Sequence, residues 1–459
     1  MQVRILPPVQ NFKQMKKQSK TYIILGFILL SFPLAGFSQE LVSYNLSLAQ
    51  VVEMGLENHQ QLKIAEAQIQ AGEQQVKVSK LQQLPTVSFS ANAFYLGDAL
   101  ILDTDFSKLQ TIDMPHFGNS FALQASQILY KGGVIKKSIE MAELQTQLAE
   151  LDLIKDEQSI KFLIISGYLD ISKIINQITV YRQNKVLAEQ RLANVTKLYE
   201  EDMVTRNELI RAELQIKSIE QSILTLHNNH RILSNRLSYA LNLPKDALII
   251  PKDALIIPKD EEQKKTVPNL SYYMELAERH PSMLFLETNI GIAEKNVALA
   301  KSDYSPTISA FGGYNMQRPL TSSTPAQDLY SNTWQAGLSL TFNIDNLFKT
   351  KEKVKLGNIR TSVLQESRTY NLQNIEMEVH AAFVKYHEAM QQRELMSESQ
   401  RLADENYRII EGKYMNQLAI TAEMTDAATA KLDSELQLSN AEINVLFQYY
   451  SLLKSSGIL

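Results

Sequence analysis

Few residues in this chain have a spacing that could do chemistry. Glu423 and Asp426 stand three apart beside the turn after Tyr414, so both carboxylates fall on one face of a helix-patterned segment. Such a pair attracts cations and repels itself. Acidic residues near a helix N-terminus also simply suit its dipole, and both readings stay open here. Seven histidines are scattered. His227 and His230, three apart, could share a metal; His380 and His387, seven apart, could do so only with ligands from outside. The ordinary reading of both pairs is a solvated helix surface, and no metal or cofactor is expected. No catalytic constellation is present: no glycine loop that cradles phosphate follows a strand, and there is no HExxH. The sequence therefore does not read as an enzyme, and any energy coupling must come from another protein.

The elements that position these residues come in two copies. Lys80-Leu-Gln-Gln-Leu-Pro-Thr-Val-Ser88 returns as Lys301-Ser-Asp-Tyr-Ser-Pro-Thr-Ile-Ser309, and Glu57-Asn-His59 returns as Glu278-Arg-His280, both offset by 221. Further on the offset is 215, which pairs Tyr199 with Tyr414, Glu208 with Glu423 and Ala212 with Ala427. Two constant offsets mean one unit duplicated, with six residues of difference in a single loop. The repeat-equivalent His59 and His280 fit a structural role at a helix break better than a ligand role.

Lys13, Lys16, Lys17 and Lys20 precede an apolar run, Tyr22 to Phe37, and small residues, Gly36 and Ser38, flank its end. Residues 1–38 read as a secretory signal peptide, since Ser31 and Pro33 interrupt a run already short for a membrane helix; a retained anchor is the alternative. Cysteine is absent, so there is no disulfide framework. Removing residues 1–38 removes five basic and no acidic residues, leaving 41 basic and 50 acidic residues and a net charge of −9. That balance argues against nucleic acid as a partner. Only 16 Gly and 13 Pro occur in 459 residues, which favours long uninterrupted helices.

The first repeat spans 39–243. Leu46 to Leu84 is helical in pattern, with Ser47 as the expected N-cap. Alternation then predicts strands over 85–96 and 120–130, joined by a long loop. Gly132-Gly133 closes the second strand, and 134–201 runs without proline to a return helix over 207–241. At ~1.5 Å per residue the long helix is a rod of ~100 Å, a coiled-coil element. Residues 244–267 form a linker in which Pro-Lys-Asp-Ala-Leu-Ile-Ile occurs twice in tandem, with the proline spacing excluding helix. The second repeat, 268–459, has a helix over 268–302, strands over 307–317 and 334–343, a rod over 349–416 and a return helix over 422–453.

Each strand carries one apolar face and one small polar face, as a barrel between lipid and water requires. Tyr95, Tyr130, Tyr314 and Trp334 sit near strand ends, where interfacial girdles lie. Four strands cannot close alone, and open edges in lipid leave backbone groups unpaired. Three chains supply twelve strands. The alternative is a soluble four-stranded sheet with one wet face.

Over residues 41–456 the chain resembles the TolC-like outer-membrane efflux proteins. The resemblance rests on the duplication, on Leu-Pro-Thr-Val-Ser and Ser-Pro-Thr-Ile-Ser opening each half's first strand, and on the Leu129-Tyr-Lys-Gly-Gly133 strand exit. It rests too on the turns Tyr199-Glu-Glu-Asp-Met-Val-Thr-Arg-Asn-Glu-Leu and Tyr414-Met-Asn-Gln-Leu-Ala-Ile-Thr-Ala-Glu-Met. It implies a mainly α fold with membrane β. In that fold a trimeric 12-stranded β-barrel, four strands per chain, continues into a long α-helical coiled-coil barrel in the periplasm. It implies a passive outer-membrane channel of a tripartite efflux or type I secretion system, with a periplasmic adaptor and an inner-membrane pump as partners. Glu423 and Asp426 match the family's paired acidic positions at the periplasmic entrance, where a trimer would set six carboxylates around a narrow opening. The adaptor-docking tips would be Met203, Val204, Thr205 and Arg206 with Leu418, Ala419, Ile420 and Thr421. The chain departs from the family in having Asp202 and Gln417 where a turn glycine is common, and Ile344-Asp-Asn-Leu-Phe348 at the second strand exit. A periplasmic coiled-coil scaffold or adaptor without a membrane barrel is the alternative function.

Overall fold

The computed structural model describes residues 43–244, 247–252, 268–323 and 325–459. The expected signal peptide and most of the expected linker fall outside the described residues. Strand β1 (Ser43–Leu46) leads into helix α1 (Leu48–Asn58). Ser47 sets its start through a capping box: the Ser47 hydroxyl accepts from Gln50 N, and Gln50 Oε1 accepts from Ser47 N at 3.0 Å.

The single helix expected over Leu46 to Leu84 is broken at His59. This residue is extended (φ −66°, ψ 126°), and its Nδ1 accepts from Gln61 N at 3.2 Å to start α2 (Gln60–Lys80). No proline or glycine marks the break, so the apolar periodicity runs through it. Strand β2 (Thr86–Tyr95) follows. The stretch after it, expected as plain loop, holds a hairpin of β3 (Ala99–Leu102) and β4 (Lys108–Ile112), which turns near Phe106 at φ 66°. Alternation over four or five residues is too short to separate such a hairpin from loop. Strand β5 (Phe117–Tyr130) then begins three residues earlier than its pattern suggests.

Helix α3 (Val134–Glu200) has 67 residues and returns as α4 (Arg206–Leu241). Within the expected linker, four residues form a strand, β6 (Leu248–Pro251), parallel to β1 in the register Ser43↔Leu248 to Leu46↔Pro251. Ile249 is fully buried among Val51, Ile164 and Leu241, so this strand belongs to the core. The prolines exclude helix, but Pro251 at a strand end removes no needed donor. The helix expected over 268–302 is also split, into α5 (Leu270–Ala277) and α6 (Pro281–Lys301), by His280, whose Nδ1 accepts from Ser282 N at 3.1 Å. Strands β7 (Thr307–Arg318) and β8 (Ser331–Thr341) precede α7 (Asn346–Met415, 70 residues) and α8 (Thr421–Ser455).

Each rod is flanked in series by two shorter helices: α3 packs along α2 and α4, and α7 along α6 and α8. Contacts of α3 with α6 and α8 join the two repeats. The most apolar part of α3 buries Ile164, Tyr168 and Ile171 against α1, α4 and β6. No described helix is long and apolar enough to cross a membrane.

The four main strands form one antiparallel sheet in the order β2-β5-β7-β8. The sheet hands over to α3 at Gly132 and Gly133, with φ +55° and +76°. A Cβ on Gly132 would lie 2.8 Å from Ser305 Oγ and 3.0 Å from Ser302 Cα, so both backbone and space demand glycine. Lys137 Nζ ties the joint by donating to Gly132 O, Ala298 O and Ser302 Oγ at 2.8, 3.1 and 2.9 Å. The second exit lacks the glycine pair. There α7 starts at Asn346, three residues ahead of the position equivalent to Val134, with Lys349 Nζ 2.6 Å from Asp345.

Candidate functional site

The two hairpin tips are built alike. At the first, Asp202 N donates to Tyr199 O and Met203 N to Leu198 O, at 3.0 and 2.8 Å; at the second, Gln417 N donates to Tyr414 O and Leu418 N to Lys413 O, also at 3.0 and 2.8 Å. This is the double bond pattern that ends a helix on a left-handed residue. Asp202 (φ 58°) and Gln417 (φ 59°) adopt it without being glycine. The tips touch: Gln417 Nε2 lies 4.0 Å from Met203 Sδ.

The expected docking residues divide into two sets. Met203, Thr205, Arg206, Leu418 and Ile420 are exposed. Val204 and Ala419 turn inward onto an apolar cluster of Val195, Tyr407, Tyr414, Met424 and Ala428. Thr421 is half-buried, its hydroxyl 3.5 Å from that of Tyr414. Glu423 and Asp426 both point to solvent, on the face opposite buried Met424, Ala427 and Ala428. Glu423 Oε2 also accepts from Ile420 N at 3.1 Å, capping α8. His227 Nε2 meets Arg182 Nη2 at 3.2 Å, whereas buried His230 Nε2 donates to Ile249 O at 2.7 Å, so the ring pair is spent on structure. Burial pushes the His230 imidazole below its ordinary pKa, despite that backbone bond. Among the described residues no cluster of His, Asp or Glu could hold a metal.

Behind the tips lies a polar network that sequence reading misses. Asn184 on α3 donates to Glu435 on α8 at 2.7 Å. Lys431 on α8 is hydrogen-bonded to Asp404 on α7, and Arg408 reaches the same carboxylate at 2.7 Å. The bond from Lys431 holds Asp404 below the usual carboxylate range, against its partial burial. The Asn184–Glu435 bond joins two hairpins distant in sequence, the bonds to Asp404 tie the second hairpin together, and charged residues on helices carry no sign of their partner.

The sheet has two chemically distinct faces. Paired residues share a face, so Phe89 with Leu123, Tyr314 with Trp334 and Ile308 with Leu340 make one side apolar. Ser90, Asn92, Ser120, Gln124, Asn315 and Gln335 make the other polar. Among the described residues the apolar face is left largely open: Trp334 is 79% exposed, and Tyr95 is 75% exposed although its ring stacks on His116 at 5.2 Å. Of the expected girdle residues, Tyr95, Tyr314 and Trp334 lie toward the end of the sheet away from the helices, and Tyr130 lies at the helical end. Among the described residues, strands β2 and β8 are the two edges, each paired on one side only.

An apolar-faced open sheet carried on two long helical hairpins narrows the comparison with known proteins. The family model for outer membrane efflux proteins matches residues 51–243 and 272–457, once for each repeat. The chain belongs to the outer membrane efflux protein family. It is an outer-membrane channel of tripartite efflux systems, reaching into the periplasm, and not an enzyme. The scaffold alternative without a membrane barrel is thereby set aside. Solved channels share the fold. CusC superposes with a TM-score of 0.73 at 16% identity, over 90% of this chain and 92% of that one. VceC of Vibrio cholerae gives 0.71 at 13%, over 89% and 96%. The open state of MtrE from Neisseria gonorrhoeae gives 0.69 at 16%, over 89% and 88%. No curated protein sequence matches the chain. Channels of this efflux family form trimers.

Proposed function

We propose that three copies of this efflux protein close a twelve-stranded barrel in the outer membrane, and that their helices continue it as a passive exit duct through the periplasm. The observation that carries this reading is the pair of unpaired edges, β2 and β8, on a sheet whose outer face is apolar. In hydrocarbon each unsatisfied backbone group costs several kcal/mol, and pairing β8 of one copy with β2 of the next removes that cost all round. A second feature supports the same assembly. On α7, Leu356, Val363, Tyr370, Met377 and Val384 recur every seventh residue and are between 47% and 64% exposed. An exposed heptad seam on a rod is the surface a helix of a neighbouring copy covers.

In this assembly the tips gather at the periplasmic end. Met203, Thr205, Arg206, Leu418 and Ile420 face a periplasmic adaptor's helical hairpins, with Val204, Ala419 and Thr421 supporting them from within. Six carboxylates, Glu423 and Asp426 from each copy, ring the entrance and favour cations. The adaptor links the duct to an inner-membrane pump, which supplies energy and selects the cargo; a type I secretion pump fits the same tips. The test is fractionation and mass measurement of the purified full chain. The expected result is a trimer in the outer membrane that conducts in planar bilayers, and a water-soluble monomer would overturn the reading.

A further inference from the structure

The four barrel strands contain a single charged side chain among Asp, Glu, Lys, Arg and His. It is Arg318 at the end of β7, and Asp328 neutralises it through two bonds of 2.7 Å. The polar face is thus built from hydroxyls, amides and small residues, apart from Ile128 opposite Ser309 and two aromatic side chains. Phe94 is paired with Gly118, and Phe311 with Gly337. A Cβ on Gly118 would lie 2.1 Å from the Phe94 ring, and one on Gly337 3.2 Å from the Phe311 ring, so each ring lies flat over a neighbouring strand's glycine. Flat packing still leaves 37% of Phe94 and 36% of Phe311 open. Phe94 sits at the far end of β2, whereas Phe311 is the fifth residue of β7 counted from its helical end.

We infer that the barrel lumen is a charge-free passage with two tiers of aromatic contact sites, Phe94 at the outer mouth and Phe311 at the periplasmic mouth, that favour flat apolar solutes. This rests on the closed-barrel reading, in which the polar face turns inward. Twelve strands about 4.8 Å apart enclose a wall roughly 24 Å across at the usual tilt, wide enough to hold water with the rings at its margin. A wall without charges neither traps nor repels ions, so ionic selection rests with the entrance carboxylates. An open aromatic face in water does hold a second flat apolar group, weakly enough for release.

The test uses the full-length trimer in planar bilayers with an uncharged probe, phenyl β-glucoside, and two controls, glucose and cyclohexyl β-glucoside. The phenyl probe is expected to add open-channel current noise that glucose does not, with binding stronger than for the cyclohexyl compound. Phe94→Ser with Phe311→Ser should weaken phenyl binding roughly threefold to tenfold, the scale of one or two aromatic contacts. Phe94→Leu with Phe311→Leu keeps an apolar cover on both glycines, and should erase the preference for phenyl over cyclohexyl in a channel of unchanged conductance. Phenyl noise equal to that of glucose in the wild type, or unaltered in the leucine variant, would overturn the inference while leaving the duct intact. Absence of any conductance would remove the barrel itself and the inference with it.

Discussion

The residues that matter most here are polar groups whose charge is either displayed or suppressed. Glu423 and Asp426 are displayed. Glu423→Gln keeps an acceptor for Ile420 N, and Asp426 makes no cap, so the double change Glu423→Gln and Asp426→Asn removes charge with the helix start intact. Reversal potentials in a salt gradient should then fall several-fold toward no cation preference, and an unchanged potential would refute the entrance ring. His280 is suppressed. Its Nδ1 must accept from Ser282 N, and its ring also bonds the Lys454 backbone, an arrangement that only the neutral ring supports. Burial holds its pKa below the ordinary 6.5, so the unfolded chain takes up the proton first as pH falls. The stability from this cap is complete above pH 6.5 and is lost as pH drops through the lower folded value. Thermal melts between pH 7.5 and 5 should show a fall in Tm that His280→Asn, itself a good N-cap, reduces. Equal acid sensitivity in the two proteins would rule the cap out as its source.

At the scale of elements, the sequence makes long rods and barrel strands readable because their signals are long. A helix of 67 or 70 residues and strands of 10 to 14 accumulate enough periodicity to outweigh local noise. Short elements stay hidden. The break at His59 uses a side-chain cap that no proline announces, whereas the one at His280 is followed by Pro281 at the first position of α6; β6 is legible only through its partner β1, some two hundred residues away. At the candidate site, the spacing of Glu423 and Asp426 gives their shared face, but not which tip residues turn inward. Val204 and Ala419 look like ordinary tip residues until Tyr407, Tyr414 and Met424 are seen beneath them. That distinction is testable by cross-linking, and the lack of native cysteine keeps the background clean. Cysteines at Met203 and Leu418 should trap a helical adaptor efficiently, and those at Val204 and Ala419 should trap it weakly. A reversed order would mean that the tips open before docking. The same tips hold Asp202 and Gln417 at positive φ, a conformation that costs a side chain about 1 kcal/mol. Asp202→Gly with Gln417→Gly should slow hydrogen exchange at both turns by a few-fold, and faster exchange would show that the side chains hold them.

The whole molecule is an unfinished object, and its unfinished surfaces are of two kinds. Among the described residues the sheet lacks hydrogen-bond partners along the outer edges of β2 and β8, a deficit that only strands can fill. The α7 rod lacks apolar cover along Leu356, Val363, Tyr370, Met377 and Val384, a deficit that only a helix fills well. The two deficits lie on consecutive parts of the same chain, β8 leading directly into α7, so one neighbour satisfies both at once. This coupling predicts how assembly fails. Val363→Asp with Tyr370→Asp places carboxylates in the helical seam, where a covered, unpaired charge costs several kcal/mol. The strands are untouched, yet the twelve-stranded wall should no longer close, because its neighbours are no longer held in register. Native mass spectra of the variant in detergent should show monomers in place of trimers, with the far-UV helix signal preserved because both residues are exposed in the single chain. A variant that stays trimeric with an unchanged melting temperature would show that the sheet edges alone hold the copies together and that the α7 seam faces something else.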